Sequence, residues 1–305
     1  MSIYCIGQAV YDITFPVAEK IEENRKYRVE NKFECIGAPA TNAASLCGIW
    51  DAKTALIARI GKDSYGKKIL EQLKINNVNT DYVAIDNEFQ TPLSMVVTNI
   101  LNGNRTLFNF PGKLNDIKFH IPKIEPNVIL VDGHELEVSK EILKKYPNAL
   151  SVIDAGSYRE ATKILSKEID YFVCSQDFLY QYAQVEIRLD HEGTWKFAFQ
   201  KLRELTNGLI VVTLGKQGLL YEDAKGICYL PAYKSKAVDT TGAGDVFHGA
   251  FAYCLDQGYE LFDTLKISSM AAALSVRKMG GQLSIPTKEE VNHEFHRLHN
   301  SIRLK

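Results

Sequence analysis

The sequence predicts an α/β protein: helices cover both faces of a mostly parallel β-sheet in three layers, and a small antiparallel β lid is added to it. Three observations predict this class. Short apolar runs of the buried-strand type alternate with segments of helical period. The 305 residues are enough for one large core with an accessory element. Two segments break the alternation and carry the signals of an antiparallel sheet.

The strands of the main sheet are predicted from short runs rich in β-branched and aromatic residues. They are residues 2–7, 53–61, 127–133, 149–156, 169–175 and 208–215. Helices are predicted over 41–50 and 64–77, the second with Ser64 as its N-cap. Residues 80–85 are a further strand-like segment. Because strands and helices alternate, the sheet is expected to be mainly parallel.

Residues 27–37 and 93–110 carry the signals of the second sheet. Polar and apolar residues alternate in the first segment. In the second, an Asn102-Gly103 pair lies between two strand-like runs, which is a strong hairpin signal. We expect a lid, formed by about 13–36 and 93–112 and inserted in a single domain of residues 1–305. Its apolar side chains would either pair with a second copy in a homodimer or cover the chain's own substrate; they include Phe33, Leu107 and Phe108.

Composition limits the classes of function. With 36 basic and 37 acidic residues the net charge is -1, and nucleic-acid-binding proteins usually have a basic excess, so no nucleic-acid partner is expected. Six cysteines without a C-x-x-C pair predict buried, reduced thiols in a cytoplasmic protein. No run of about 18 apolar residues is present, and no basic region precedes a long apolar segment. Neither a membrane span nor a signal peptide is therefore expected.

Residues 236–255 join a β-rich segment to a helix through the nearly bare loop Gly242-Ala243-Gly244. The N–H groups in the first turn of a helix are unpaired, and small residues let a bulky anion approach them, so the loop is predicted to be an anion hole for a phosphoryl group. Asp245 follows in the first turn. We expect it to be ionised at neutral pH and to orient a hydroxyl group whose proton it accepts late in phosphoryl transfer. The alternatives are turn and cap residues, or a dinucleotide fingerprint that lacks its third glycine.

The motif DTTGAGD followed by FHGAF, over 239–251, resembles the C-terminal signature of the ribokinase-like (PfkB) carbohydrate kinases. The resemblance extends over nearly the whole chain. Residues 36–42, IGAPATN, are similar to the family's glycine-rich substrate motif, with Ala38 in place of the second glycine, and 213–218 are similar to the strand and turn that line the nucleotide site. The resemblance implies a ribokinase-like fold and ATP-dependent phosphorylation of a primary hydroxyl group of a sugar, either ketose or ribose-like.

The resemblance also implies four groups of site residues by their positions in the motifs. A short carboxylate and an amide are suitable partners for vicinal sugar hydroxyl groups. The groups are Asp245 as the base with Gly242, Ala243 and Gly244 as the anion hole; Asp12, Gly37 and Asn42 as sugar ligands; Thr213, Gly215 and Gly218 at the nucleotide; and Asp239, Thr241, Gly280 and Ser284 around a potassium ion.

Three candidate residues have structural alternatives. Asp12, expected at the end of the first strand, could be a turn residue, and Asn42 could be a helix N-cap; the accompanying motifs favour a substrate role for both. Arg105 lies on the predicted hairpin. It would either reach the substrate when the lid closes or remain a solvated charge.

One departure from the family pattern concerns magnesium, which nucleotide phosphates carry and which should still be required. Many members have an Asn-x-x-Glu pattern after a strand, and here Ser175 and Phe178 stand in those two places. The protein's contact with Mg²⁺ would then run through water or come from Asp177, which could equally be a helix cap.

Two other functions stay open at this point. The acceptor could be a nucleoside or a sugar phosphate, and the sequence alone identifies neither the apolar shelf nor the basic cluster that these substrates need. The chain could also be a sugar- or nucleotide-sensing binding protein that kept the fold without turnover. Asp245 argues against that alternative, whereas Ala38 and Phe178 leave it open.

Overall fold

The computed structural model of the protein describes residues 2–102, 104–112 and 117–303. It confirms the predicted α/β class. The strands of the described residues are β1 (Ile3–Ile6), β2 (Val10–Val17), β3 (Phe33–Gly37), β4 (Thr54–Ile57), β5 (Arg59–Gly61), β6 (Val78–Asn79), β7 (Ala84–Asp86), β8 (Leu93–Asn99), β9 (Arg105–Phe110), β10 (Val128–Val131), β11 (Leu150–Ala155), β12 (Tyr171–Ser175), β13 (Leu209–Thr213), β14 (Leu219–Asp223) and β15 (Gly226–Leu230). The helices are α1 (Pro39–Ile49), α2 (Ser64–Ile75), α3 (Leu136–Lys145), α4 (Glu160–Leu165), α5 (Gln176–Ala183), α6 (Glu192–Arg203), α7 (Ala243–Asp256), α8 (Leu261–Ser275) and α9 (Lys288–Arg303).

The main sheet is mostly parallel, as predicted. Its strands follow the order β15-β14-β13-β12-β11-β10-β1-β4-β6. Every neighbouring pair from β13 to β6 is parallel, and β14 and β15 add an antiparallel edge. Because parallel strands end at one edge of a sheet, the residues that follow β1, β10, β11, β12 and β13 collect at that edge, where ligands bind in open α/β sheets.

An apolar core lies on each face of the main sheet. Alternation along β1 sends Cys5 into one core and Ile6 into the other. Helices α1, α7 and α8 cover the first core, which contains Trp50, and helices α3, α5 and α6 cover the second, which contains Phe172. Two covered faces account for the apolar character of the strands. In the described part of the chain, no helix has both the length and the apolar character that a bilayer crossing requires.

The second sheet has the order β3-β2-β8-β9. Its outer pairs are antiparallel, as predicted, whereas the middle pair, β2 with β8, is parallel. The hairpin signal in 93–110 corresponds to β8 and β9, and Gly103 of the predicted turn lies outside the described residues. Asp12 is not at the end of the first strand, as expected, but inside β2, where it pairs with Cys35 and Ser94. The lid boundaries of about 13–36 and 93–112 stay a prediction.

Two local predictions were wrong. Residues 53–61 do not form one strand, because the chain leaves the main sheet at Ala58 and β5 then pairs with β7 in a separate two-stranded sheet. Ser64 is not the N-cap of α2. That position belongs to Asp63, whose extended backbone lets its carboxylate accept the N–H of Gly66 at 2.8 Å and the N–H of Thr91 at 2.9 Å. The second bond ties the cap to a distant segment, which residue spacing alone does not show.

Candidate active site

The first turn of α7 carries the loop that the sequence predicts as an anion hole. Gly242 is the N-cap, with φ of 75°, a left-handed conformation that glycine adopts without strain. No acceptor in the described part of the chain receives the N–H groups of Gly242 and Gly244. The N–H of Ala243 makes only a long bond, 3.4 Å, to the carbonyl of Thr240. The loop therefore presents donors to the space in front of the helix, as an anion site requires.

Asp245, in the same turn, meets α1. The Nδ2 of Asn42 donates a hydrogen bond of 2.6 Å to Oδ2 of Asp245. Asn42 is buried, and its Oδ1 has no hydrogen-bond donor among the described residues. The alternative that Asn42 caps the helix is wrong, because the N-cap of α1 is Ala38. A buried acceptor without a donor is costly unless a ligand supplies one.

Burial dominates the charge state of Asp245. It raises the pKa of this carboxyl most, and the nearby Asp154 carboxylate also raises it, while the bond from Asn42 and the charges of His248 and Arg105 lower it; together these causes bring the pKa to about 6. The position of Asp245 in the first turn of a helix stabilises its carboxylate anion, but burial destabilises that anion by more. With a pKa of about 6, Asp245 is still mostly ionised at pH 7, in line with its expected role.

Asp12 faces the same space from the second sheet. Burial is the main cause that raises the pKa of Asp12; a hydrogen bond from Ser94 lowers it, the carboxylates of Asp245 and Asp239 raise it, and together these causes bring the pKa to about 7. Its carboxylate lies against Gly37, where an added Cβ would be 2.0 Å from Oδ2 of Asp12. The glycine is therefore required for this carboxylate to occupy its position. Asp12, beside Gly37 of the predicted sugar motif, and Asp245, beside the predicted anion hole, thus lie around one space.

A cleft of about 760 Å³ lies beside the loop and has the volume of a typical ligand site. All three residues predicted to contact nucleotide, Thr213, Gly215 and Gly218, line it together with Ala243 and Gly244. A Cβ at position 218 would lie 2.1 Å from the carbonyl oxygen of Leu230, so only glycine fits there. The predicted nucleotide residues and the anion-hole residues therefore share one cleft.

Arg105 connects the second sheet to this cleft. Although its side chain is exposed, its Nη1 donates a hydrogen bond of 2.6 Å to Oγ1 of Thr240, two residues before the loop. Arg105 lines the cleft together with Thr240 and Gly244. The arginine of the predicted hairpin thus reaches the phosphate loop from the opposite side.

The residues in place of the family's Asn-x-x-Glu pattern are not available to a metal ion. Ser175 is the N-cap of α5; its Oγ accepts the N–H of Phe178 at 3.0 Å and donates to the carbonyl of Gly156 at 2.8 Å. Phe178 is fully buried. Asp177 is exposed in the cleft and is not the cap, so that alternative is wrong. No cluster of three metal-ligating side chains occurs in the described residues.

The four residues predicted around potassium come together beside the loop. Asp239 is buried, and its carboxylate accepts the N–H and the Oγ1–H of Thr241, at 3.0 and 2.7 Å, and the N–H of Gly280 at 2.9 Å. The N–H of Ser284 donates to the carbonyl of Gly280 at 3.0 Å. Within the described residues, no positively charged side chain forms an ion pair with Asp239. A buried carboxylate in such surroundings fits a bound cation.

Sequence reasoning missed a buried ion pair behind the loop. Nδ1 of His248 lies 3.0 Å from Oδ2 of Asp154 and 2.7 Å from the carbonyl oxygen of Gly244, and Nε2 lies 3.2 Å from the carbonyl oxygen of Val173. Burial lowers the pKa of His248, but Asp154 and the two carbonyl groups raise it to about 9 overall. One signal was present in the sequence, because Asp154 ends an apolar run at the edge where the other candidates collect.

Comparisons with known proteins identify the family and the fold. The family described as pfkB family carbohydrate kinase matches residues 1–288. A ribokinase of Lactococcus lactis is 27% identical over 277 residues, 86% of each chain. Two solved structures share the fold. The ribokinase of Cryptococcus neoformans with ADP has a TM-score of 0.80 and 22% identity, covering 96% of this chain and 98% of that one. The ribokinase of Arabidopsis thaliana with ribose and ATP has a TM-score of 0.77 and 21% identity, covering 96% and 97%.

Proposed function

This chain belongs to the pfkB family of carbohydrate kinases and is an ATP-dependent sugar kinase, and from that premise we propose that it phosphorylates a primary hydroxyl group of a ribose-like sugar or a ketose. One observation carries the proposal: the bond of 2.6 Å between Asn42 and Asp245 joins the helix of the sugar motif to the helix of the phosphate loop. The acceptor and the phosphoryl group would therefore meet at Asp245.

In the proposed reaction, the carboxylate of Asp245 orients the sugar hydroxyl group. The hydroxyl oxygen forms a bond to the γ-phosphorus of ATP, the bond from that phosphorus to the β–γ bridging oxygen breaks, and ADP leaves. The hydroxyl proton passes to Asp245 as the new bond forms. The amides of Gly242 and Gly244 stabilise the charge on the phosphoryl oxygens during transfer, because they are already aimed at that space.

The sugar would lie between Asp12, Asn42 and Asp245. Oδ1 of Asn42 lacks a donor among the described residues, and a sugar hydroxyl group would supply one. Asp12 would accept a hydrogen bond from a neighbouring hydroxyl group, and Gly37 leaves room for that carboxylate. This arrangement suits the vicinal hydroxyl groups of a sugar.

The second sheet would act as the lid, with Arg105 as its contact with the transferred phosphoryl group or the sugar. Pairing in the sheet places Phe33 opposite Thr14 and Leu107 opposite Val96, so both share the face of Asp12. Phe108 lies on the other face and is 53% exposed. If two copies dimerise through their lids, that outward face is the one available. Homodimerisation and a cytoplasmic location stay predictions, and light scattering in solution tests the first.

Magnesium would enter with ATP and neutralise its phosphates. Among the described residues that line the Ser175 end of the cleft, Asp177 has the only carboxylate. It would contact Mg²⁺ through water. Potassium would be held by oxygen atoms of Asp239 and Thr241, with Gly280 and Ser284 on the far side. We expect turnover to depend on K⁺, and the comparison of KCl with choline chloride at equal ionic strength tests that expectation.

A coupled assay of ADP release against ribose, deoxyribose, ketohexoses, nucleosides and sugar phosphates tests the proposed function. We expect the highest kcat/KM with a free sugar and a product whose phosphorus signal is split by a CH₂ group, as a primary phosphate ester requires. A preference for a nucleoside or a sugar phosphate would contradict the proposal. Sugar binding without ADP release from any acceptor would instead indicate a binding protein.

A further inference from the structure

His248 lies on α7 one turn beyond Asp245, on the side that faces the main sheet, and the mechanism above does not use it. Its side chain is almost fully buried, with 2% exposure. Its ring lies between α7 and the ends of two parallel strands: Asp154 belongs to β11 and Val173 to β12. The ring thus occupies the space beneath the phosphate loop, on the opposite side from the cleft.

Both ring nitrogens of His248 face acceptors. Nδ1 lies 2.7 Å from the carbonyl oxygen of Gly244 and 3.0 Å from Oδ2 of Asp154, and Nε2 lies 3.2 Å from the carbonyl oxygen of Val173. A neutral imidazole has one N–H, so one nitrogen would turn a lone pair toward an oxygen lone pair. The imidazolium has two N–H groups and satisfies both sides of the ring. The positions of the neighbours therefore select the charged form.

The charge of His248 acts on a crowded group of carboxylates. Four titratable or charged groups surround Asp245. His248 lies one turn further along the same helix, α7, and the others belong to three strands: Asp154 of β11, Arg105 of β9 and Asp12 of β2. Helix α1 adds the neutral amide of Asn42. Asp154 and Asp12 disfavour a further anion, while His248 and Arg105 favour it. Of the two cations, His248 is fixed by three contacts in the core, whereas Arg105 is exposed.

We propose that His248, held as an imidazolium between Asp154 and the Gly244 carbonyl, is a positioning residue that keeps Asp245 ionised. This inference rests on the proposed function, because it assumes that Asp245 is the base. Asp154 has the complementary role of holding the charged histidine in the core, and its other oxygen accepts the N–H of Gly156 at 3.1 Å.

The first test measures the charge itself. In the wild-type protein with ¹⁵N-labelled histidine, we expect both ring nitrogens of His248 to be protonated at pH 8. The resonance is assigned by its absence from the double variant Asp154→Asn/His248→Asn, which leaves no unpaired charge in the core. A neutral ring at pH 7 would overturn the proposal, and this result is independent of any activity.

The second test measures the acid limb of kcat/KM. In His248→Asn the limb should move to higher pH by roughly 1 unit or more, because one of the two favourable charges is lost, and in the double variant it should move back. The exposed His191→Asn serves as the matched control.

A lower kcat at every pH with an unmoved acid limb of kcat/KM would indicate a purely structural role of His248 and overturn the proposal. If His248→Asn does not fold, the NMR titration decides alone. Full activity of Asp245→Asn would instead refute the proposed function.

Discussion

The side-chain amide of Asn42 donates a hydrogen bond of 2.6 Å to the carboxylate of Asp245, across 203 positions of sequence. The bond joins α1, which begins just after Gly37 of the predicted sugar motif, to α7, which begins at the predicted anion hole. It also favours the ionised form of Asp245, so under the proposed function sugar binding and proton transfer would depend on the same contact.

Replacement of Asn42 with alanine should therefore change two quantities together. The KM for the sugar should rise by roughly tenfold or more, because a buried hydrogen bond to the ligand is lost. The acid limb of kcat/KM should also move to higher pH, because Asp245 loses a donor that stabilises its anion. Steady-state kinetics from pH 5 to 9 check both, with the exposed Asn148→Ala as control. An unchanged sugar KM would argue against α1 as the sugar helix.

Gly244 offers a test of the phosphate loop that should not disturb the fold. A Cβ added there meets no heavy atom within 4 Å, yet the residue lines the cleft. We expect Gly244→Val to unfold at a temperature close to that of the wild type and to lower kcat/KM for ATP by about 100-fold or more, because the added methyl groups would occupy the phosphoryl site. Gly244→Ala should be intermediate. Normal ATP kinetics in the valine variant would remove the loop from the site.

Arg105 tests whether the second sheet takes part in turnover. Replacement with glutamine removes the charge beside Thr240 but keeps a polar side chain. We expect kcat to fall by roughly 10- to 100-fold, the cost of one hydrogen bond to a charged group, with a small change in stability. Arg25, exposed in a loop and paired with Glu19, provides the matched control as Arg25→Gln. Equal effects of the two variants would mean that Arg105 is only a surface charge.

The buried carboxylate of Asp12 should favour sugar binding but lower the free energy of unfolding at neutral pH. The pKa of Asp12 is raised from 3.8 to about 7, mainly by burial, so its contribution to stability is complete below pH 3.8 and is lost as the pH rises through 7. The gain in unfolding free energy from Asp12→Asn should thus grow by on the order of 2 kcal/mol between pH 5 and pH 8. Urea denaturation measures this, with Asp81→Asn as the exposed control. A pH-independent gain would mean that Asp12 is not a strained carboxylate.

The sequence was sufficient where a feature depends on local pattern. Apolar runs indicated the parallel strands, and the bare loop before Asp245 indicated the start of α7. The place of Thr213 in a strand of the main sheet followed from the same apolar pattern, whereas its place at the nucleotide is implied by the resemblance alone. These features need only period, chain order and the geometry of a helix terminus.

Features that depend on distant contacts were not predictable in this way. Asp63 rather than Ser64 caps α2 because Thr91 shares its carboxylate. Asp12 lies within β2 because a second sheet begins shortly after β1. The pair of Asp154 and His248 forms only when β11 and α7 pack together; His248 lies in the FHGAF stretch, but no local pattern links it to Asp154. The raised pKa of Asp245 likewise comes from burial, which spacing does not reveal.

The most direct test of the central claim is the turnover of Asp245→Asn, measured by ADP release with the preferred sugar and compared with ATP and sugar binding by calorimetry. Asparagine keeps the size of the side chain and removes the proton acceptor. We expect both ligands to bind while kcat falls by about 10²- to 10⁴-fold, the usual contribution of a general base. A kcat within about threefold of the wild-type value in a variant that binds both ligands would contradict the account.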